Sequence, residues 1–433
     1  MKFISTRDNG NIVNFSQALF QGLAPDGGLY IPKEKKDLSQ LINSFSEKTS
    51  FVEIASEITY ALLKDTFSKT QSQEIAEKAF TFQPKIVNLN NKISILELFH
   101  GRSCAFKDFG ASFLAQSMEV LLEEKDKKAV ILTATSGDTG SAVAQAFVNK
   151  DNIDVIILYP SGRVSPLQEK QLTSIGSNIK ALEVKGSFDD CQRMVKTAFT
   201  DSDITEKINL SSANSINLGR LIPQSFYYIW AYSQIKSSKS DSIFVVPSGN
   251  YGNLTAGLYA QSWGLDIKGY VAATNANDVI PKYLESGLYS PIPSKHTLSN
   301  AMDVGSPSNY ERMASFFHND VDNFKKKIEA FAIDDKQTKN IIKEVYEKEN
   351  YIMCPHTAVG YGAAKLYQER HSLSNMMVLS TAHPGKFTEV IEDVISVKPE
   401  LPEELKKLER REKISIVVEN TDEALKNYLL TTY

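Results

Sequence analysis

A doubly wound α/β architecture built on mostly parallel sheets is predicted by two features of this 433-residue sequence. From about residue 129 a single unit recurs: a short apolar, β-branched run, a turn rich in Gly, Ser and Thr, then a stretch of helical periodicity. The apolar runs do not alternate with polar residues, which is what strands covered on both faces of a parallel sheet require. Ligands of such sheets sit beyond the carboxyl ends of the strands, and every glycine-rich turn of the pattern falls at such an end.

The chain opens differently. Helical patterns around Ile54 to Leu63 and Gln73 to Ala79, with the Gly/Pro-rich stretch Gly22 to Gly28, predict an N-terminal helical subdomain over residues 1–95. Residues 96–395 carry the repeated unit in two α/β lobes. Ala129 to Leu132 leads into Thr135-Ser-Gly-Asp-Thr-Gly140 and a helix from Ser141. Ile243 to Val246 leads into Pro247-Ser-Gly-Asn-Tyr-Gly-Asn253 and a helix near Leu254. Met376 to Leu379 leads into Ser380-Thr-Ala-His-Pro-Gly385 and a helix near Phe387. Residues 286–309, rich in Ser, Pro, Gly and Asn, read as a functional loop or lid, or as a solvated connector. Residues 396–433 are expected to form a helical tail, with Lys398 to Lys413 one exposed helix.

Composition narrows the function. Lys plus Arg is 48 against 52 Asp plus Glu, a net charge of -4, so no basic field favours nucleic acid. Three cysteines, Cys104, Cys191 and Cys354, have neither a disulfide framework's spacing nor a C-x-x-C pair. Arg7 and Asp8 interrupt the start before a signal-peptide core forms, and apolar runs such as Val155 to Tyr159 fall far short of the roughly 20 residues a bilayer needs. A cytoplasmic monomer or homodimer is expected.

The chemistry lies in the turns. G-x-G-x-x-G, G-x-x-x-x-G-K-[ST], H-E-x-x-H and G-x-S-x-G are absent, and six histidines are scattered, so dinucleotide, Walker-type, zinc-hydrolase and α/β-hydrolase sites have no anchor. Ser248 to Asn253 exposes several N–H groups and a helix N-terminus to one anion, and its lack of Lys suits a phosphate that is held, not transferred. On its own the segment reads equally as a plain βα turn in which glycine supplies positive φ. Thr135 to Gly140 is a second such turn, dense in hydroxyls and amides, suited to a carboxylate. Lys107 stands between Phe106 and Phe109 with one Asp intervening, ahead of a helix expected from near Ala111; apolar flanks lower an ammonium pKa, as a nucleophilic amine needs. An apolar lysine, a phosphate turn and a carboxylate turn together describe pyridoxal phosphate beside an amino-acid substrate.

At these residues the sequence resembles the β-family (fold type II) of pyridoxal-phosphate enzymes, to which the tryptophan synthase β-subunit belongs, and within it the longer class of threonine synthases. The resembling segments span nearly the whole chain: Phe15 to Tyr30, His100 to Gly110, Thr133 to Gly140, Ser165 to Lys170, Ser212 to Asn217, Pro247 to Asn250, Ser299 to Val304 and Thr381 to Pro384. The resemblance implies two lobes with pyridoxal 5′-phosphate between them, and conversion of O-phospho-L-homoserine and water to L-threonine and phosphate. It makes Lys107 the Schiff-base lysine and Gly249, Asn250, Tyr251, Gly252 and Asn253 the loop for the cofactor phosphate. Ser136, Gly137 and Thr139 would face the substrate carboxylate. Asn214, Ser215 and Arg220, from N-S-x-N-x-x-R, would meet the substrate phosphate, and Thr381 or neighbouring Ser380 the pyridine nitrogen. Asp138 stands where much of the wider family has an Asn that contacts the cofactor 3′-oxygen, although the longer class shares the Asp. Beside a phenolate, Asp138 is expected to be protonated, to share a proton or to turn away.

Three other readings compete. A serine/threonine dehydratase needs no second phosphate site, so the Asn214, Ser215 and Arg220 pattern discriminates against it. A phospho-lyase that never adds water at Cβ would betray itself by a keto-acid product. A non-enzymatic binding module has no use for Lys107 and would be colourless.

Overall fold

The computed structural model describes all residues except 9, 91, 124–126, 136, 165, 236–238 and 372–374. Two sheets form its frame. Among the described residues one is six-stranded, in the order Ile328–Ala332, Gly269–Thr274, Ile243–Pro247, Met376–Ser380, Ile93–Glu97 and Lys85–Asn88. Its neighbours are parallel except the last pair, an antiparallel edge. The other is five-stranded and wholly parallel: Ile416–Glu419, Ile179–Lys185, Ile153–Pro160, Ala129–Ala134 and Leu210–Ser211. Every residue of Ala129–Ala134, Ile243–Pro247 and Met376–Ser380 is buried, so the unbroken apolar runs are strands covered on both faces, as expected. The carboxylate turn hangs from the five-stranded sheet. The phosphate turn and Thr381 hang from the six-stranded one.

Phe51–Leu63 and Lys69–Ala79 are helices, capped by the Ser50 and Ser68 hydroxyls. They buttress the helix Lys107–Glu123 through edge-on rings: Phe51 lies 5.2 Å from Phe109, and Phe82 4.9 Å from it. The expected boundary at residue 95 falls inside strand Ile93–Glu97, and the edge strand Lys85–Asn88 is already part of the larger sheet. Among the described residues, no helix is long and apolar enough to cross a membrane.

The C-terminal region departs from a purely helical tail. Within Lys398 to Lys413 only Glu403–Glu409 is α-helical, and it is not fully exposed, because Leu405 and Leu408 bury themselves against Cys104. Beyond it, Ile416–Glu419 pairs with Leu182 to Lys185 at the edge of the smaller sheet, and helix Asp422–Thr432 packs on Phe188–Thr200. Lys413 and Ser415 fasten this return to Glu183, whose carboxylate is pushed up by burial but brought down overall, to about 2, by Lys413 and two hydroxyls.

Arg312, fully buried, ties three distant pieces together. Its Nε donates to the Tyr30 carbonyl at 3.0 Å, Nη1 to Asn309 Oδ1 at 2.8 Å and Nη2 to the Ile216 carbonyl at 2.5 Å. Arg312→Met leaves these acceptors buried without a donor and should cost about 2–4 kcal/mol. Guanidinium chloride titration would show this as a lower midpoint at unchanged slope.

Candidate active site

Lys107 is placed by a piece of antiparallel stitching. Where strand Ile93–Glu97 ends, Leu98 N–H donates to the Ser380 carbonyl and Phe106 N–H to that of Thr381, both at 2.9 Å, while His383 N–H returns to Cys104 O at 3.0 Å. Cys104 turns the loop with φ of 56°. Ser103 N–H then donates to Asp108 Oδ2 at 2.9 Å. A Cβ on Gly101 would fall 2.4 Å from that carboxylate, so only glycine fits. With Asp108 capping from within the first turn, the helix begins at Lys107 itself, four residues earlier than the sequence suggested. Burial lowers the Lys107 ammonium; Asp138 opposes this, and Arg220 and Lys386 add to it. Asp108 is raised to about 6, chiefly by burial, against the Ser103 hydrogen bonds.

In the carboxylate turn, Thr135 Oγ1 accepts from Gly137 N–H at 3.1 Å and Gly140 N–H at 2.9 Å. The Gly137 amide is therefore occupied, and the first-turn amides of Asp138 and Thr139 are the ones without an acceptor among the described residues. Ser136 lies outside the described residues. Asp138 is engaged by protein partners. Its Oδ1 pairs with Lys386 Nζ at 2.6 Å and accepts from Gln168 Nε2 at 3.1 Å. Burial alone would raise its carboxyl, but Lys386 and Lys107 hold it well below the usual range, so it is a fixed carboxylate.

In the phosphate turn the strained residue is Tyr251, at φ 58°, not a glycine; a tyrosine there costs on the order of 1 kcal/mol. Gly249 is required by protein, not only by a ligand, since its Cβ would meet Met302 Cα at 2.7 Å. Asn250 is a hub: Nδ2 donates to Ser215 Oγ at 3.1 Å, Oδ1 accepts from Ser308 N–H at 2.6 Å, and its carbonyl accepts from Asn309 Nδ2 at 3.0 Å. Asn253 Oδ1 is anchored by the hydroxyls of Tyr227 and Tyr228, at 2.6 and 2.7 Å, leaving a buried Nδ2 with no acceptor among the described residues.

Residues 292–305 are pinned over this turn. Asp303 accepts from Thr297 and Asn275, Ile292 N–H donates to Gly305 O, and Ala301 N–H donates to His356 Nε2 at 3.2 Å.

The N-S-x-N-x-x-R segment reaches the same cleft. Asn214 Oδ1 accepts from Thr133 Oγ1 at 2.6 Å, Ser215 meets Asn250, and Arg220 lies along the Lys107 helix, where a Cβ on Gly110 would be 2.6 Å from its carbonyl. Arg220 is 1% exposed. Its Nη1 donates to Ala213 O, its Nε has no partner among the described residues, and burial brings it down to about 10 against the pull of Asp108. Ser380 Oγ is taken by Thr357 Oγ1 at 2.8 Å, whereas the Thr381 hydroxyl makes no hydrogen bond to the described residues, which favours Thr381 for the ring nitrogen.

Sequence reasoning missed three residues here. Gln168 lies inside the segment Ser165 to Lys170, Lys386 follows Thr381 to Pro384 by two positions and His356 stands at a helix start, but none sits in a periodic pattern that would single it out. His356 is buried beside Phe387, and burial first of all drives its pKa to about 4.

A suppressed lysine, amides at the start of Gly252–Ser262, the orphan Asn253 amide and a free Thr381 hydroxyl fit the amine link, phosphate and ring nitrogen of pyridoxal phosphate. Residues 85–382 match the family described as "Pyridoxal-phosphate dependent enzyme", and this is the class of protein that the fold and site define. Residues 2–80 match "Threonine synthase N terminus" and 357–429 "Threonine synthase, C-terminal". A threonine synthase of Haemophilus influenzae is 42% identical over 419 residues, 96% of this chain and 97% of that one. The crystal structure of threonine synthase from Escherichia coli superposes with a TM-score of 0.92 at 38% identity, covering both chains completely. The pyridoxal-phosphate-bound threonine synthase from Brucella melitensis does so at 0.93 and 35%, over 99% of this chain and 98% of that one. The chain belongs to the threonine synthase family of fold type II pyridoxal-phosphate enzymes.

Gly252 separates cofactor binding from folding more cleanly than Gly249, because its Cβ would meet nothing closer than Asn309 Nδ2 at 3.3 Å. Gly252→Val should weaken pyridoxal phosphate binding by at least roughly tenfold, about 1.4 kcal/mol, with little change in Tm. Equilibrium dialysis and calorimetry would show whether the two effects part.

His356 and His383 are both depressed from 6.5 to about 4, mainly by burial. The unfolded chain takes up these protons first, so their contribution is complete above pH 6.5 and is lost as pH falls toward 4. Asp108, raised by burial, works in the opposite direction over much of this window. Tm should fall between pH 6.5 and 4, and His356→Gln should flatten that slope in calorimetric scans.

Proposed function

We propose that this chain converts O-phospho-L-homoserine and water to L-threonine and phosphate. The observation that carries the reading is Arg220, a buried guanidinium with no carboxylate in ion-pair distance and an orphan Nε among the described residues, beside Lys107. A buried cation left unpaired is costly by several kcal/mol until an anion reaches it. A hydroxy-amino-acid dehydratase brings no such anion, whereas a phosphorylated amino acid does. The share of chain and the identity to named threonine synthases support the same reading.

Pyridoxal phosphate, when bound, supplies the electron sink that makes the substrate Cα–H acidic. The rest falls to the chain's own residues. Lys107, kept short of its usual basicity by burial, removes the proton from Cα and then moves protons at Cβ. The Asp138 and Thr139 amides hold the substrate carboxylate at the start of their helix. Arg220, with Asn214 and Ser215, holds the phosphate as the Cγ–O bond breaks and the electron pair leaves with oxygen. Lys107 passes a proton to Cγ, water adds its hydroxyl to Cβ, Cα regains its proton, and the one proton left over goes to the released phosphate, so substrate and water balance threonine and phosphate. A reducing, cytoplasmic setting is part of this reading, supported by three buried and unpaired cysteines.

The test is to incubate the pyridoxal-loaded protein with O-phospho-L-homoserine and identify the organic product. L-threonine is expected; a four-carbon keto acid in its place would mean elimination without hydration. Lys107→Ala should abolish both covalent cofactor attachment and turnover. Arg220→Ala should lower kcat/KM by about 30- to 150-fold, from roughly 2–3 kcal/mol of lost charge-assisted binding, with cofactor absorption intact. Arg220→Lys should recover part of that, since the ammonium lacks the planar fork.

A further inference from the structure

Of the ion pairs among the described residues, Lys386–Asp138 is the most deeply buried, its side chains 0% and 4% exposed. Its two halves come from different lobes. Asp138 is in the first turn of helix Asp138–Phe147, on the five-stranded sheet, and Lys386 is in the turn Pro384–Phe387 that follows strand Met376–Ser380 of the six-stranded one. His383 Nδ1 shapes that turn by accepting from Gly385 N–H at 3.0 Å. Lys386 spends one N–H on Asp138 and a second on Ser103 O at 2.9 Å, four residues before Lys107. Its third N–H has no acceptor among the described residues.

Moving two opposite charges from water into such a place carries a desolvation cost that mutual attraction seldom exceeds, so stability is a weak reason for the pair. Its position gives a better one. Lys107 feels Asp138, Arg220 and Lys386, and Asp138 in turn faces Lys386, Lys107 and His356, while Lys386 also faces Cys104, Asp108 and His383. We propose that Lys386 and Asp138 are positioning residues that together set the proton affinity of the Lys107 nitrogen, Asp138 raising it and Lys386 restraining the rise. The proposal rests on the reading above that this nitrogen carries the cofactor.

The pair is neutral as a unit, and its two members act on Lys107 in opposite senses. Opposite shifts from the two single variants are a pattern that a merely structural staple would not produce. The readout is the pH midpoint of the visible absorption band of the full-length, pyridoxal-loaded protein, which follows protonation of the Lys107 nitrogen. Relative to wild type, Lys386→Met should raise the midpoint and Asp138→Asn should lower it, each by about one unit or more. The double variant Asp138→Asn/Lys386→Met should lie between the two single variants.

Tm is measured alongside. A fall in Tm with all midpoints unmoved, or shifts of the same sign in both single variants, would overturn the proposal and leave the pair a clamp between lobes. Should one single variant fail to fold, the other decides: a shift of the stated sign supports the proposal, and an unmoved midpoint overturns it. Product identity is measured separately, so threonine formation and this assignment stand or fall independently.

Discussion

The three hydrogen bonds that sew residues 98–106 to the exit of strand Met376–Ser380 are the constraint on which the site depends. They make a loop behave as an extra short strand, marked by the antiparallel bridge of Ala105 with Ala382. Without them Lys107 would be tied to the larger sheet only through the connecting chain and the Lys386–Ser103 hydrogen bond. With them its Cα is referenced to the larger sheet, the one that also carries the phosphate turn and Thr381. A covalent link between a lysine and a cofactor needs that common reference, because reacting atoms must be held to within a fraction of an ångström or so.

Around that fixed point the chain gathers Lys107, Asp138, Lys386, Arg220, Asp108 and His356. Burial sets the direction for Lys107, Arg220, Asp108 and His356, and only at Asp138 do the neighbours reverse it: Asp138 ends low because two cations face it, whereas Asp108 ends high because its help is mostly the neutral hydrogen bonds of Ser103. Arg312 is a useful contrast. It is equally buried, but each of its three nitrogens donates to a protein oxygen, so it stitches the fold. Arg220 keeps an unspent donor at Nε. Between two buried arginines, the unfinished one is the candidate for an incoming anion.

Much of this was legible in the sequence, for identifiable reasons. The strands announced themselves because parallel strands are apolar throughout, and the turns because glycine, serine and asparagine cluster where a strand hands over to a helix. Lys107, Arg220 and the phosphate turn followed from those placements and from resemblance. Lys386 and His356 were illegible because a charge in a short turn or at a helix start leaves no period, and its meaning comes from a partner some 220 to 250 residues away along the chain. The residues near 403–409 misled for the opposite reason: a run of Glu, Lys and Arg looks solvated, yet two leucines three apart were enough to bury one edge. Tyr251 shows the limit of turn rules, since tertiary contacts impose on a tyrosine the conformation that local preference reserves for glycine.

The late strand Ile416–Glu419 bears on how the protein is made. Its partner strand ends at Lys185, which pairs with Glu419 across 234 residues of sequence. At about 5–20 residues per second, a ribosome needs on the order of tens of seconds to deliver the one after the other. Throughout that interval the nascent smaller lobe presents Ile179–Lys185 as an uncovered sheet edge, the kind of surface on which neighbouring chains pair. The translation product thus passes through a stage that is native in its centre and adhesive at one margin, and the arrival of Ile416–Glu419 closes it.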